Sequence, residues 1–166
     1  KEKRDYIGCN IYEKRICKKL KEDPSNVPHF SVGLVPEGLR VYLIIHSKPS
    51  VDKFLKKIEN KKQFYKLISL IHDLPEYDIV LYDRKHFRRG LAEYKPDTRI
   101  RSKYFGEEAM KFLIWRAKKI GEKSTNAVII FENKIPREEV IKDKDIIMTI
   151  RETVKNLFDI YEFAME

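Results

Sequence analysis

The chain has 166 residues and a formal net charge of +9, with 42% hydrophobic and 37% charged residues. This length and hydrophobic content predict one folded domain over residues 1–166. No apolar run reaches the roughly 18 residues that a transmembrane helix needs, and residues 1–20 lack the apolar core of a secretory signal. We therefore expect neither a membrane span nor secretion.

The cysteines bear on the cellular compartment of the protein, and the chain ends bear on the extent of the natural chain. Cys9 and Cys17 are the only cysteines and form no disulfide framework, which fits a reducing compartment and predicts the cytoplasm. The chain begins with Lys1 and ends inside a helical pattern over residues 160–166. The sequence is therefore consistent with a module trimmed from a longer protein.

The first clear element is a β-hairpin. Residues 29–34 alternate between apolar and other side chains, as expected for a strand with one buried face. Pro36 and Gly38 give the next segment the chemistry of a tight turn. Residues 39–46 then return as a strongly apolar strand, which predicts a central position in the sheet.

Helical periodicity follows the hairpin. Apolar residues recur at helical spacing over residues 51–58, where Ser50 can cap the helix, and again over residues 64–71. Pro75 ends the second segment. Residues 77–82 (YDIVLY) then predict another strand.

The second half of the chain continues the alternation of strands and helices. We expect a short strand at residues 91–94, a helix over 106–120 closed by Gly121, a buried strand over 126–132 and a long helix over 145–163. Trp115 and the other aromatic residues fall mostly on apolar stripes and are interpreted as core. The order predicts an α+β fold: a mainly antiparallel sheet, helices packed on one face and a long C-terminal helix.

The most informative segment is residues 84–103, which carries eight Lys or Arg against two acids. Five of the eight cations are arginines, which grip phosphate with a planar fork and stack on bases. Concentrated positive charge mixed with aromatic rings suits nucleic acid, although most charge runs are only solvated surface. The predicted nucleic-acid contacts are Arg84, Lys85, Phe87, Arg88, Arg89, Arg99, Arg101, Lys103 and Tyr104.

An enzymatic alternative rests on Asp78 with Glu93 and Lys95. Metal-dependent nucleases of the restriction-enzyme type place an aspartate on one strand and Glu-x-Lys on the next, so that two carboxylates hold Mg²⁺ and the lysine steadies water or phosphate. Glu59 on the preceding helix is a candidate third ligand. Against this, acid-x-Lys arises readily by chance in so charged a chain, and Asp78 precedes its apolar run.

The histidines predict no metal site. His29, His46, His72 and His86 lack ligand spacing such as HxxxH, and neither cysteine lies near a histidine in the sequence. His29 and His46 sit at matching ends of the hairpin strands, so we expect them side by side with a structural hydrogen bond. Glycine-rich nucleotide-binding motifs are also missing, and no cofactor is expected apart from Mg²⁺ under the nuclease alternative.

Two stretches carry a resemblance to a known family. Residues 27–34 (VPHFSVGL) match a proline–histidine–phenylalanine–x–apolar–glycine–leucine pattern, and residues 126–131 are followed by an isoleucine–proline–arginine–acid corner at 135–139. Over residues 27–163 the chain resembles the YktB-like family of uncharacterised proteins. The resemblance implies an α+β fold with an antiparallel sheet and no established catalytic residues. The middle of the chain is more basic than the family pattern.

Three hypotheses for function follow from the sequence. The first is a non-enzymatic nucleic-acid-binding domain that uses the arginine-rich surface, with DNA as the favoured partner, in the role of a targeting module of a DNA-processing or restriction system. The second is the Mg²⁺-dependent nuclease. The third is a structural or protein-interaction domain, whose sign would be a large exposed apolar patch without a continuous basic surface.

Overall fold

One sheet of six strands organises the computed structural model, which describes residues 7–11, 26–84, 96–123 and 127–166, with side chains from residue 10 onward. Every neighbouring pair of these strands is antiparallel, in the order β1-β2-β3-β6-β4-β5. The strands are β1 (Ile7–Ile11), β2 (His29–Val35), β3 (Gly38–Ile45), β4 (Asp78–Asp83), β5 (Thr98–Arg101) and β6 (Ala127–Pro136).

The predicted hairpin is confirmed, and its second strand, β3, lies in the middle of the sheet. Strand β2 pairs with β3 from His29 opposite Ile44 to Val35 opposite Gly38. Strand β3 is buried along its whole length because β6 pairs with its other side. Gly38 has a φ of +145°, and a Cβ built there would lie 2.1 Å from the backbone oxygen of Ile135. Only glycine fits this close approach of the turn to β6.

Five α-helices lie in the described part of the chain. Helix α1 begins after Ser47 and α2 after Asn60, and the side-chain oxygens of both residues accept backbone N–H groups of the first turn. None of the described helices is long and apolar enough to cross a bilayer. The helices are α1 (Lys48–Lys57), α2 (Lys61–His72), α3 (Glu107–Glu122), α4 (Arg137–Lys142) and α5 (Ile146–Met165).

The main core lies between the helices and one face of the sheet. Strand residues Leu43, Ile79 and Phe131 point to this face and pack with helix residues such as Phe54 and Leu157. Because side chains alternate along a strand, the remaining strand residues point to the opposite face. The predicted fold is thus confirmed: an α+β arrangement with an antiparallel sheet, helices on one face and a long C-terminal helix.

The face of the sheet away from this core, here called the second face, is also largely buried. Its middle is an apolar band whose six side chains are at most 3% exposed. Charged side chains lie at one end of this band. The band consists of Tyr42, Ile44, Val80, Tyr82, Val128 and Ile130.

Several sequence predictions need correction in detail. Strand β5 occupies Thr98–Arg101, inside the arginine-rich segment 84–103, where no strand was expected at these residues. The strand expected at residues 91–94 lies outside the described residues. Strand β6 continues through Pro136, which was expected to lie beyond it. Helix α3 runs past Gly121 to Glu122.

The interpretation of Trp115 as core is wrong. Trp115 is 52% exposed and Phe112 is 45% exposed, and their ring centroids are 5.7 Å apart. The buried stripe of α3 is formed by Met110, Leu113 and residues one turn further along the helix. The two aromatics thus cover each other on the outer side of the helix.

Candidate anion-binding site on the second face

Alternation along four strands gathers charged side chains at one end of the second face. Glu132 of β6 lies directly opposite Asp78 of β4, and Asp78 lies opposite Arg101 of β5. Arg40 of β3 lies opposite Lys134. Neighbouring strands are about 4.8 Å apart, so these side chains are within reach of one another. The charged cluster is defined as Arg40, Asp78, Arg99, Arg101, Glu132 and Lys134.

Glu132 is the centre of the charged cluster. Its side chain is fully buried, and the Arg40 guanidinium, itself only 7% exposed, donates from Nε at 2.9 Å and from Nη2 to the same oxygen, Oε2. A buried carboxylate must be paired, because desolvation of an isolated charge is very costly. The Arg40–Glu132 pair is therefore the fixed part of the cluster.

The other oxygen of Glu132 is held less tightly. Lys134 Nζ lies 3.4 Å from Oε1 and Arg99 Nη2 lies 3.5 Å from it. These contacts are longer than a good N–H···O hydrogen bond, and Oε1 has no hydrogen-bond donor among the residues that the structure describes. Arg99 also reaches Asp78, with Nη1 at 3.5 Å from Oδ2, so one guanidinium bridges two carboxylates.

Burial and neighbouring charges both shift the pKa values of the ionisable groups around Glu132. Burial lowers the pKa of Lys134, Glu132 opposes this, and the nearby charges of Arg99 and Arg40 lower it further. Burial likewise raises the pKa of Tyr82, against the influence of Arg40. Lys134 thus lies where positive charge is already concentrated.

The outer edge of the cluster is exposed to solvent. Arg101 Nη1 lies 3.0 Å from one oxygen of Glu76, and Lys103 Nζ lies 2.5 Å from the other. Lys103 is the principal cause of a lowered pKa of Glu76. All three side chains are between 42% and 58% exposed. Ion pairs at such exposure contribute little to stability.

A cavity of about 320 Å³ opens beside the cluster. Its polar lining comes from Arg40, Arg99, Lys134, Tyr82 and Glu37. Its remaining walls are the turn and strand ends held together at Gly38. Val35 and Pro136 give this side an aliphatic surface, whereas the side chains of Leu39 and Ile135 belong to the core on the opposite face. The cavity therefore combines several cationic groups with an apolar wall.

Charge decides which kind of ligand this cavity suits. The cluster has four cations, and its two carboxylates together with Glu37 of the lining make three acids, so one positive charge remains. Lys103 and Glu76 add one charge of each sign. A divalent cation would be repelled by the arginines and Lys134, whereas an anion would be attracted. Within the described residues, no group of three or more His, Cys, Asp or Glu side chains could hold a metal ion.

The structure brings together only some of the predicted nucleic-acid contacts. Arg99 and Arg101 belong to the charged cluster, and Lys103 and Tyr104 follow it in a 3₁₀ turn (Ser102–Tyr104). Tyr104 is 71% exposed, with Lys103 Nζ 5.3 Å from its ring centroid. Four further predictions lie outside the described residues: Lys85, Phe87, Arg88 and Arg89.

Arg84 lies apart from the other described cations of the segment. It follows the last residue of β4, Asp83, which is five residues from Asp78 and so roughly 16 Å away along the strand. Its charge contributes to the low pKa of His46 at this end of the second face. The described part of the basic segment thus reaches both ends of β4.

The predicted nuclease triad stays a prediction. Asp78 lies on the second face, but Glu93 and Lys95 lie outside the described residues. Glu59 does not join Asp78, because it follows α1 on the helix side of the sheet and pairs there with Lys118 at 2.7 Å. Its expected role as a third ligand is therefore not supported by the geometry.

The expected proximity of His29 and His46 is confirmed. Their ring centroids are 5.2 Å apart with the rings nearly perpendicular, and His29 Nδ1 lies 2.9 Å from the backbone oxygen of Val27. Burial lowers the pKa of His46 to about 4, with further contributions from His29 and Arg84. Burial lowers the pKa of His29 as well. Both rings therefore favour the neutral form.

Sequence reasoning missed Arg40, Glu132 and Lys134. A signal was present: Arg40 and Glu132 are single charges inside the apolar strands LRVYLII and AVIIFE. A charge at a strand position that must be buried requires a partner of opposite charge, so each residue predicted the other. Glu132 and Lys134 also form an acid-x-Lys pattern, and Glu132 lies directly opposite Asp78.

A separate apolar groove bears on the protein-interaction hypothesis. It lies between β1 and α5 and is lined in part by Ile11, Ile150, Val154 and Phe158. Ile11 is 44% exposed and Phe158 is 42% exposed. The groove lies on the helix side of the sheet, away from the charged cluster.

Comparisons with family models, with curated proteins and with solved structures found no match to this chain. The resemblance to the YktB-like family stays a prediction.

Proposed function

We propose that this protein is a nucleic-acid-binding domain, with DNA as the favoured partner, that contacts phosphate through the exposed cations of the second face and of strand β5. One observation carries the proposal. Arg99 and Arg101 point to the same face of the sheet as Arg40 and Lys134, so cations from three strands share one surface. Phosphate contacts of this kind supply most of the affinity in non-specific binding.

The carboxylates beside these cations do not prevent phosphate contact. Arg101 and Lys103 pair with Glu76, and all three side chains are substantially exposed. Because exposed ion pairs contribute little to stability, exchanging the carboxylate for a phosphate costs little. Tyr104, the most exposed ring beside these cations, offers a face for base stacking. A role as targeting module of a DNA-processing or restriction system is the biological setting that we favour.

The proposal is tested by measuring binding to fluorescent single- and double-stranded DNA and RNA between 50 and 200 mM salt. We expect affinity to fall steeply, with a slope of about −0.7 to −0.9 per neutralised phosphate. Removing one phosphate contact by Arg101→Ala or Lys103→Ala should lower the salt slope by roughly one unit each.

Matched controls are available on other surfaces of the same chain. Lys111 on α3 is as exposed as Arg101 and also pairs with glutamates, and Arg151 on α5 is exposed. Lys111→Ala and Arg151→Ala should leave affinity and salt slope unchanged. Affinity that is flat with salt, or equal losses from both pairs of variants, would contradict the proposal.

A second candidate is the Mg²⁺-dependent nuclease, now with a different acid-x-Lys pair. Glu132 lies directly opposite Asp78, Lys134 follows two residues later on the same face, and both carboxylates are within reach of one cation, Arg99. In this candidate Mg²⁺ would take the place between the two carboxylates. The obstacle is the Arg99 guanidinium, which would have to move away first.

Cleavage assays separate the two candidates. Plasmid and oligonucleotide substrates are incubated with Mg²⁺ or Mn²⁺, and the nuclease candidate requires cleavage that is lost in Asp78→Asn and Glu132→Gln. Glu108→Gln changes a carboxylate on α3 that is 88% exposed and serves as control. Cleavage that survives both variants would come from a contaminant and would exclude this candidate.

A further inference from the structure

The cavity at Gly38 is a built recess rather than a gap between loosely placed side chains. The hairpin turn is fastened to β6, since the N–H of Arg137 donates to the backbone oxygen of Glu37 at 2.9 Å and a Cβ at Gly38 would collide with Ile135. Arg40, which lines the cavity, is fixed by its pair with the buried Glu132. A preformed pocket with a few convergent polar groups is the usual form of a small-ligand site.

Two of the cations that line the cavity retain capacity to donate. Arg99 and Lys134 approach Glu132 only at 3.5 and 3.4 Å, and their side chains are 37% and 38% exposed. A guanidinium carries five N–H donors and an ammonium three, so the long contacts of Arg99 to Asp78 and Glu132, and of Lys134 to Glu132, leave most of these donors available. An anion in the cavity could therefore bind both cations without breaking the Arg40–Glu132 pair.

We propose that this cavity binds the phosphoryl group of a phosphomonoester, held by Arg99 and Lys134 and backed by the charge of Arg40. A phosphomonoester has three terminal oxygens and a charge of about −1.5 to −2 near pH 7, which suits several cations better than a carboxylate does. The volume exceeds the need of a phosphate ion, and the aliphatic wall suits an attached sugar, base or other weakly polar group.

The phosphoryl group has two sources, a small phosphorylated molecule or the phosphorylated end of a nucleic-acid strand. The second source rests on the proposed function and deepens it, because the cavity lies beside the edge cations proposed to hold the strand. The first source is independent of that function. The chemistry at Arg99 and Lys134 is the same in both cases.

The test uses the full chain and titrates inorganic phosphate, adenosine 5′-monophosphate and acetate, followed by calorimetry and by amide shifts in ¹H–¹⁵N spectra. We expect saturable binding of the phosphates, much weaker binding of acetate, and shifts centred on Gly38, Arg40 and Lys134. A pair of oligonucleotides that differ only in a 5′-phosphate separates the two sources: tighter binding of the phosphorylated strand identifies the strand end, and equal binding identifies a small molecule.

Two variants on the same face sharpen the result. Lys134→Gln should weaken phosphate binding by about tenfold or more, the usual effect of losing a hydrogen bond to a charged group. Lys103→Gln lies outside the cavity and should change phosphate binding by less than about twofold, while it still weakens polymer binding. Thermal melting of each variant checks that the fold is retained.

Defined outcomes overturn this inference. Absence of saturable phosphate binding, shifts that lie away from Gly38 and Lys134, or equal losses in the two variants would each reject the cavity as a phosphoryl site. Salt-dependent DNA binding without phosphate binding would reject only this inference. Phosphate binding without any polymer binding would support it and would reject the proposed function.

Discussion

The charged cluster has an inner part, Arg40 and Glu132, and an outer part made of its exposed cations Arg99, Arg101 and Lys134 together with the adjoining Glu76 and Lys103. The two parts contain the same chemical groups in opposite surroundings. In the inner part, Arg40 and Glu132 are 7% and 0% exposed, and in the outer part Arg101 and Glu76 are 55% and 58% exposed. The contacts differ as well. Two nitrogens of Arg40 donate to one oxygen of Glu132, whereas Arg101 donates to Glu76 from one nitrogen. The contribution of a salt bridge to stability thus depends on how deeply it is buried.

This difference separates structural from functional roles. Breaking the inner pair leaves a buried charge without a partner, so these residues are tied to the fold. The outer cations lose little when they exchange partners, so they are available to bind a ligand. The proposed phosphate contacts therefore belong to the outer part, and the fixed inner part supports them.

The largest effect should come from Arg40→Met. Removing one partner of a buried pair costs about 3–5 kcal/mol, because Glu132 keeps only the two long contacts to Arg99 and Lys134. The free energy of unfolding is measured by urea denaturation. The double variant Arg40→Met/Glu132→Met should recover most of the loss, and a cost in the single variant as small as that of an outer cation would contradict the distinction.

The next largest effect is a dependence of stability on pH, which arises from His46 at the far end of the second face. The pKa of His46 is about 4 in the folded protein and near 6.5 when unfolded, so the unfolded chain binds more protons between these values. The contribution of neutral His46 to the free energy of unfolding is therefore fully present above pH 6.5, and roughly 2–3 kcal/mol of it is lost as the pH drops towards 4.

Substitution of His46 isolates this contribution. In His46→Phe the stability loss between pH 7 and 4.5 should shrink, with a residual slope from His29, whose pKa is also lowered. Urea denaturation at several pH values gives both slopes. Identical slopes in the variant and the parent protein would show that His46 is not held neutral by the fold.

A smaller effect is expected from Gly38→Ala, which probes the wall of the cavity. The positive φ and the approach to Ile135 should cost about 2 kcal/mol or more. Gly121→Ala is the matched control, because nothing lies within 4 Å of a Cβ there and the residue is helical. It should stabilise by about 0.5–1 kcal/mol, and thermal melting that shifts both variants in the same direction would contradict this account.

The smallest effect on stability should come from Lys103→Ala in the outer part. Its pair with Glu76 is exposed, so the free energy of unfolding should hardly change. Chemical denaturation measures this change, and the DNA titration above measures binding in the same variant. A stability loss comparable to that of Arg40→Met would remove the basis for assigning Lys103 to ligand contact.

The fold was predictable where short-range patterns decide it. The hairpin followed from the alternation of residues 29–34 and from Pro36 and Gly38, and the long helix followed from its apolar stripe. Strand β5 could not be read from its four residues, because Thr98, Arg99, Ile100 and Arg101 form a strand only where β4 offers an edge. Trp115 was misassigned because helical spacing alone does not say which stripe faces the sheet.

The candidate site was harder to predict than the fold. Its members come from four strands that are distant in sequence, and the pairing of β4 with β6 brings Asp78 to Glu132. The acid-x-Lys pattern occurs at residues 59–61, 83–85, 93–95 and 132–134, and sequence alone does not rank the four. The arginine-rich segment was visible at once, but its acidic partners Glu76 and Glu132 lie outside it.

Strand β5 is the outermost of the described strands on its side of the sheet, and it is short and bears two arginines. Such charges keep an unpaired strand from joining the strand of a second molecule. Arg99 and Arg101 would then hinder self-association through β5 in addition to binding a ligand. Replacing both by apolar residues is expected to promote self-association through that edge, which light scattering would detect even where the monomer remains folded.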